Sequence, residues 1–158
     1  MEFKRLSFRF FVFLLLISTS ACSSKLLVPF ATWAQIDFKI ATDVNPDSGD
    51  RPSPIVVRLY ELSEIGEFQG KEFFDIYDND GEALKATLLA KEEFNFRPGE
   101  SSFIERKLKE DTQYIGILAA FRSIDDARWR GFVKLNKNRT NRMSVTLKGV
   151  NADVRLTR

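Results

Sequence analysis

The stretch WAQIDFKIA, residues 33–41, alternates apolar and polar side chains along its length. Ile36, Phe38 and Ile40 fall on one side of an extended chain, and the polar residues between them fall on the other. Because successive side chains of a β-strand point to opposite faces, this spacing predicts a strand with one buried face. Strands of this kind indicate a β-rich fold.

Further strand patterns follow this one. The run IVVRLYEL (Ile55–Leu62) is rich in β-branched and aromatic residues, and two prolines just before it disfavour a helix. The nearly all-apolar run YIGILAAFR (Tyr114–Arg122) is typical of a central strand. Weaker or shorter patterns predict strands at 93–97, 103–108, 129–135, 143–147 and 150–156, which makes about eight strands in all.

Residues 67–89 are the exception to the strand pattern. Phe73 and Tyr77 are four residues apart, as are Leu84 and Leu88, and this spacing predicts one or two short helices. Asp80-Gly81 is expected to separate them. Many short strands with one helical insert predict an all-β sandwich. We expect a single domain over residues 33–158, with the insert at 67–89.

The N-terminus has the layout of a secretory signal. A basic segment precedes the short apolar run Phe10–Ile17, and small residues then lead to Cys22. The apolar run is far shorter than the roughly 20 residues that span a bilayer. We therefore expect residues 1–21 to be a signal peptide and residues 22–32 to be a lipidated cysteine with a tether.

The only cysteine of the chain follows this signal. The sequence Thr19-Ser-Ala-Cys22 resembles a bacterial lipobox, in which the cysteine is acylated and becomes the first residue of the mature protein. Two or three acyl chains anchor a protein stably, whereas one chain gives marginal binding. Ser23 follows the cysteine, which by analogy with lipoprotein sorting favours the outer membrane. The predicted location is therefore the outer membrane, lipid-anchored and facing the periplasm.

The composition excludes several classes of function. The chain has 24 Lys and Arg, 22 Asp and Glu, and no His. Residues 1–21 hold three of the bases and one of the acids, so 21 of each remain and the rest of the chain is neutral. A neutral domain argues against nucleic-acid binding. The lack of His removes Ser-His-Asp and Cys-His catalysis and most zinc and haem sites. We predict no enzyme activity, catalytic residue, metal or cofactor.

Two acidic segments resemble calcium loops only superficially. In the acidic segment 75–82, an EF-hand loop with Gly81 at its sixth position would have Ile76 and Thr87 at the first and twelfth positions, where carboxylates are required. In the loop that begins at Asp43, Pro54 takes the twelfth position. We interpret both segments as helix caps or Asx-turns.

Other candidate groups also have a structural interpretation. The acid pairs Asp125-Asp126 and Glu92-Glu93 are interpreted as solvated charge, because neighbours on a strand point to opposite faces. Phe73-Phe74, Phe121 and Trp129-Arg130 are interpreted as core rather than interface, because large aromatic residues supply most core burial.

The connection Ala41–Pro54 is the most distinctive segment. It joins two predicted strands and contains three prolines and one glycine. It is longer than a hairpin loop, which usually has about 2–5 residues. One interpretation is a crossover between sheets. The other is a binding loop on a rigid scaffold. The residues alone leave both open.

The run NPDSGDRPSPIVVRLYEL, residues 45–62, resembles the signature of the TssJ family, outer-membrane lipoproteins of type VI secretion systems. Further pieces follow in the family's order: FFDIY at Phe73–Tyr77, PGE at Pro98–Glu100, GILAAFR at Gly116–Arg122, and Trp129-Arg130. Together with the lipobox they cover nearly the whole chain after Cys22.

The resemblance implies a fold and a function. The fold is a transthyretin-like β-sandwich of two roughly four-stranded antiparallel sheets with a short helical insert. The function is to anchor the periplasmic domain of the inner-membrane protein TssM, which works with TssL, to the outer membrane. The alternative is another periplasmic lipoprotein module that binds a small ligand or inhibits an enzyme, with a concave apolar pocket.

The resemblance also implies a site. In the family, the loop between the first and second strands contacts the partner. Within that loop we expect Gly49 to supply a positive φ. Carried onto this chain, the predicted partner-binding residues are Asn45, Pro46, Asp47, Ser48, Gly49, Asp50, Arg51 and Pro52.

Overall fold

The computed structural model describes residues 31–157. It contains eight β-strands, and a group of short helices lies between the second and third strands. The elements are β1 (Trp33–Ile40), β2 (Ile55–Leu62), α1 (Gly66–Gly70), α2 (Phe73–Asp78), α3 (Asp80–Leu84), a 3₁₀ turn (Lys85–Thr87), β3 (Leu88–Phe96), β4 (Ser101–Lys107), β5 (Tyr114–Ala120), a second 3₁₀ turn (Ile124–Asp126), β6 (Arg130–Lys134), β7 (Thr140–Lys148) and β8 (Asn151–Leu156).

The strands form two four-stranded sheets, which confirms the predicted transthyretin-like sandwich. The first sheet has the order β4-β1-β7-β8 and the second has the order β3-β2-β5-β6. The second is antiparallel throughout. The first differs from the antiparallel prediction at one place, because β1 and β7 are parallel, with Trp33 opposite Thr140 and Ile40 opposite Leu147. Between β1 and β7 the chain passes through β2 and β3 of the second sheet, β4 of the first, and β5 and β6 of the second, and β7 then runs in the same direction as β1.

The apolar face of residues 33–41 lies in the core between the sheets. Ile36 and Phe38 are at most 1% exposed, and they belong to one cluster with Val57 and Ile117 of the second sheet. As the alternation of apolar and polar residues predicted, β1 has one face in the core and the other in solvent.

The second sheet is buried on both faces. Tyr60 and Leu118 point away from the first sheet and pack with Phe68, Ile76 and Leu84 of the helical insert. This double burial explains why β2 and β5 appear in the sequence as nearly continuous apolar runs instead of alternating ones.

The insert differs in detail from its prediction. It contains three short α-helices, and Asp80-Gly81 opens the third helix instead of separating two. The Asn79 side chain caps that helix by accepting the Glu82 N–H at 3.4 Å. Leu88 begins β3, five residues before the predicted start of that strand, so it does not share a helix with Leu84.

The predicted pair within the insert is real. Phe73 and Tyr77 lie in α2, and their rings stack with centroids 5.1 Å apart.

Two arginines of the second sheet bind the insert through its backbone carbonyls. Arg58 donates to the Tyr77 oxygen at 2.6 Å, and Arg130 donates to the Lys71 oxygen at 2.7 Å. Hydrogen bonds from charged donors are stronger than neutral ones, so these contacts fix the insert on the sheet.

A buried carboxylate joins the two sheets at one end. Glu61 of β2 is 1% exposed, and its Oε2 accepts hydrogen bonds from the Lys109 N–H and the Thr112 hydroxyl, both at 2.9 Å. Arg106 of β4 lies 3.3 Å from Oε1. This cluster was not predicted from the sequence, although a carboxylate inside the apolar run Ile55–Leu62 was its signal.

Replacing Thr112 by Val should lower the free energy of unfolding by about 1.5–3 kcal/mol. The substitution keeps the shape of the side chain but removes a hydrogen bond to a buried charge. Urea denaturation measures the change. Thr140→Val removes an exposed hydroxyl and should change stability by no more than about 0.5 kcal/mol. Equal effects of the two substitutions would show that the Glu61 cluster contributes nothing special.

Candidate partner-binding loop

The loop 41–54 connects the end of β1 in the first sheet to the start of β2 in the second. The crossover interpretation is therefore confirmed. The strand registers place three other connections at the same end of the sandwich, namely residues 97–100, 121–129 and 149–150. We call this the loop end.

Asn45 ties the loop to the rest of this end. It is 3% exposed, and its backbone N–H donates to the Gly149 oxygen at 2.8 Å. Its side chain donates to the Pro54 oxygen at 2.7 Å and accepts the Arg122 N–H at 2.8 Å. Both the oxygen and the nitrogen of the side chain are thus hydrogen-bonded inside the fold, and Asn45 shapes the loop instead of presenting a group to solvent.

Asp47 organises the tip of the loop. Its Oδ1 accepts the N–H groups of Gly49 at 2.9 Å and Arg51 at 3.0 Å, and its Oδ2 accepts the Arg51 Nε at 2.9 Å. The expected Asx-turn is present. The Arg51 side chain, followed by the backbone N–H groups of Arg51 and Gly49, lowers the pKa of the Asp47 carboxyl below its ordinary value of 3.8.

The prediction for Gly49 was wrong. The residues with positive φ in this loop are Asn45 at 51° and Asp50 at 59°, and Gly49 is not among them. Asn and Asp are the non-glycine residues that best tolerate this conformation, because their short polar side chains form local hydrogen bonds. The left-handed conformation in this loop is therefore adopted by Asn45 and Asp50 and not by the glycine.

The loop tip presents a compact polar surface. Its exposed residues combine one hydroxyl, one acid, one base and a proline, while Pro46 and Asp47 are half-buried. The Arg51 side chain is 82% exposed even though it pairs with Asp47 at 2.8 Å. The exposed residues are Ser48, Gly49, Asp50, Arg51 and Pro52.

The acid pairs have different environments. Glu92 accepts from Arg106 at 2.5 Å and Glu93 accepts from Arg58 at 2.7 Å, so both are ion-paired and not simply solvated. Asp125-Asp126 is exposed, as expected of solvated charge. Within residues 31–157, no three His, Cys, Asp or Glu side chains are grouped so that they could hold a metal ion.

The aromatic predictions hold with one exception. Phe73 and Phe121 are 7% and 5% exposed, which confirms their core role, and Trp129 packs against Phe73 with centroids 5.3 Å apart. Phe74 is 58% exposed, so the core prediction was wrong for it. It lines a groove of about 390 Å³ on the insert whose other lining residues are mostly charged or polar: Lys71, Asp75, Asp78, Asn79, Glu82, Ala83 and Lys85.

The predicted signal peptide, Cys22 and most of the tether lie outside the described residues. Among the helices of residues 31–157, none is long and apolar enough to cross a membrane.

The fold and this loop define a class: a β-sandwich that presents a preorganised loop at one end. Residues 32–150 match the family model described as "Type VI secretion lipoprotein, VasD, EvfM, TssJ, VC_A0113". The chain belongs to this family of type VI secretion lipoproteins.

Solved structures agree with this assignment. The chain is similar to the T6SS lipoprotein TssJ1 from Pseudomonas aeruginosa, with 32% identity and a TM-score of 0.78 over 81% of this chain and 98% of that one. It is similar in fold to Serratia marcescens Lip, a membrane-bound component of the type VI secretion system, with 21% identity and a TM-score of 0.72 over 81% and 97%.

A third similar fold is a chain in the structure of the T6SS protein TssM C-terminal domain from EAEC, with 19% identity and a TM-score of 0.63 over 78% and 99%. No curated protein sequence matches the chain.

Replacing Asp47 by Asn should loosen the loop tip without unfolding the sandwich. The neutral amide weakens the bonds to Gly49 and Arg51, so hydrogen exchange at those two amides should accelerate at least about tenfold. Asp50→Asn removes the same charge from the same loop, keeps a residue that tolerates positive φ, and should leave both amides unchanged.

Protection of the Gly49 and Arg51 amides from hydrogen exchange should be lost only at acidic pH. Because the folded pKa of Asp47 is lowered, the carboxylate's contribution is complete above its ordinary value of 3.8 and is lost as the pH falls through the lower folded value. Protection corrected for intrinsic exchange should therefore be constant from neutral pH to about 4. A loss of protection near pH 6 would contradict the role of Asp47.

Proposed function

We propose that this chain, acylated at Cys22, anchors the periplasmic domain of the inner-membrane protein TssM to the outer membrane within the complex that also contains TssL. The observation that carries the proposal is the family match over residues 32–150. It is supported by the occurrence of a chain of similar fold in the structure of a TssM C-terminal domain.

The contact with TssM is assigned to the loop segment Asn45–Pro52. A loop held by its own hydrogen bonds loses little conformational entropy when it docks, so its exposed groups can bind effectively. The geometry divides the segment into two roles. Asn45 and Asp47 shape the loop, since their side chains are engaged internally. Ser48, Asp50 and Arg51 present polar groups to the partner.

Residues 1–21 are proposed to be removed as a signal peptide, leaving residues 22–32 as lipidated cysteine and tether and residues 33–158 as one domain with a helical insert. The mechanism is tethering. Acyl chains hold one end in the membrane and the loop holds TssM at the other. Confinement to the membrane surface also raises the effective concentration of the domain toward its partner. In this proposal the protein faces the periplasm and catalyses no reaction.

Ser48→Arg should weaken binding to the periplasmic domain of TssM by about tenfold or more. The substitution places a large charged side chain on the exposed loop tip, where it obstructs docking without touching the internal bonds of Asp47. Titration by biolayer interferometry measures the affinity. Thr140→Arg adds the same side chain to an exposed position at the opposite end of the sandwich and should bind normally. Unchanged binding by a folded Ser48→Arg protein would refute the loop assignment.

Cys22→Ala should release the protein from the membrane fraction and change its gel mobility. Without the thiol there is no site for acylation, and the chain loses its stable anchor. Membrane fractionation and electrophoresis test this outcome, with Ser23→Ala as a control that keeps the acceptor cysteine. A Cys22→Ala protein that stays membrane-bound with unchanged mobility would contradict the lipoprotein assignment.

A further inference from the structure

Strand direction separates the two ends of the domain. The chain enters β1 at Trp33, and loop 41–54 follows the last residue of the same strand. A strand of this length spans about 26 Å at roughly 3.3 Å per residue. The lipid tether and the proposed partner loop therefore join opposite ends of the sandwich.

We call the end where the chain enters the anchor end. It comprises residues 31–33, residues 107–113 and 134–139, and residues 63–64 at the start of the insert, which the strand registers place at the same end of the sandwich. The Leu108 N–H donates to the Thr32 oxygen at 2.9 Å, and the Trp33 N–H donates to the Arg139 oxygen at 3.0 Å. These bonds join the first residues of the domain to the β4–β5 and β6–β7 connections.

The anchor end carries an excess of positive charge. Its acids are Glu110 and Asp111, with Glu64 at the start of the insert. None of its bases forms an ion pair with another residue in the range 31–157. The five exposed bases are Lys107, Lys109, Lys134, Lys137 and Arg139.

The loop end does not share this excess. Its four connections together carry six acids against four bases. The acids are Asp43, Asp47, Asp50, Glu100, Asp125 and Asp126, and the bases are Arg51, Arg97, Arg122 and Arg128. The domain is therefore polarised, although its overall charge is balanced.

A tryptophan accompanies the free bases. Trp33 is 38% exposed on the solvent face of β1, and its neighbour on β4 is Lys107. Indole combines an apolar ring with an N–H donor, and for this reason tryptophan is enriched at membrane–water interfaces. A basic surface with an exposed tryptophan matches the chemistry of an anionic lipid surface.

We propose that the anchor end rests on the anionic phospholipid headgroups of the leaflet that holds the acyl chains. This inference rests on the proposed lipid anchor at Cys22. Eleven residue steps separate Cys22 from Trp33, so the anchor end stays within about 38 Å of the membrane surface. Each basic side chain near an anionic surface strengthens binding by roughly fivefold. The contact points the loop end toward the periplasm, where TssM approaches.

The test uses the acylated protein reconstituted into phospholipid vesicles. Two vesicle preparations are compared. One contains about one third phosphatidylglycerol in phosphatidylcholine and the other contains only phosphatidylcholine, and both carry brominated acyl chains as the quencher. Tryptophan emission should be quenched at least about threefold more strongly in the anionic vesicles, and about 0.5 M NaCl should remove the difference. The signal should disappear in Trp33→Phe, because Trp129 packs against the insert.

Two matched variants give the decisive comparison. The anchor-end variant replaces Lys107, Lys109, Lys137 and Arg139 by Gln and should lose the extra quenching. The loop-end variant replaces Arg97, Arg122 and Arg128, together with Lys148 at the adjoining end of β7, by Gln and should keep it; these four side chains are also exposed. Equal quenching in neutral and anionic vesicles, or equal loss in both variants, would overturn the proposal.

The same samples distinguish this proposal from the proposed function. If acyl chains anchor the protein, it floats with both kinds of vesicle whatever the variant, and failure to float with either refutes the anchor itself. TssM binding by the anchor-end variant should remain normal. If that variant keeps its quenching and instead loses TssM binding, the basic surface contacts protein and the lipid proposal is wrong.

Discussion

The hydrogen bonds of Asn45 are the constraint on which the architecture of the loop end depends. The Asn45 side-chain oxygen and backbone N–H connect the β1–β2 crossover to the connections after β5 and β7, both at 2.8 Å, and the side-chain nitrogen closes the crossover on Pro54 at 2.7 Å. The crossover joins the two sheets covalently, and Asn45 fixes where it lies. Leaving several buried donors and acceptors unpaired would cost about 1–3 kcal/mol each, so the loop has little freedom to move. Asp47 extends this order to the exposed tip.

Most of the fold could be predicted from local patterns. Alternation identified β1, the apolar runs identified β2 and β5, and the four-residue spacing of Phe73 and Tyr77 identified a helix. The features that escaped prediction depend on contacts between distant residues. The parallel pairing of β1 with β7 joins residues about a hundred positions apart, and Arg122 is 77 residues from Asn45. The early start of β3 at Leu88 escaped because a charged edge strand has no clear alternation. The role of each loop residue became clear only from its partners.

The domain has a layered organisation with distinct ends. The second sheet is covered by the first sheet on one face and by the helical insert on the other, and Arg58 and Arg130 hold that insert through backbone carbonyls. Within the family motifs, packing accounts for Phe73, Tyr77 and Trp129, and hydrogen bonds to the insert account for Arg130. Phe74 of the same motif is exposed. The remaining distinctive motif, the loop, is exposed at its tip and rigid at its base, which suits it to the proposed role in binding. The free bases lie at the other end, where the lipid tether joins the sandwich.

In the proposed function, a preordered loop tip contacts TssM. Hydrogen–deuterium exchange of the acylated protein with and without the periplasmic domain of TssM tests it without any mutation. The predicted result is new protection confined to the loop end and strongest at residues 48–51, with the Asn45 amide slow to exchange in both samples. Protection centred on the helical insert or on the solvent face of the first sheet, with residues 48–51 unchanged, would contradict it.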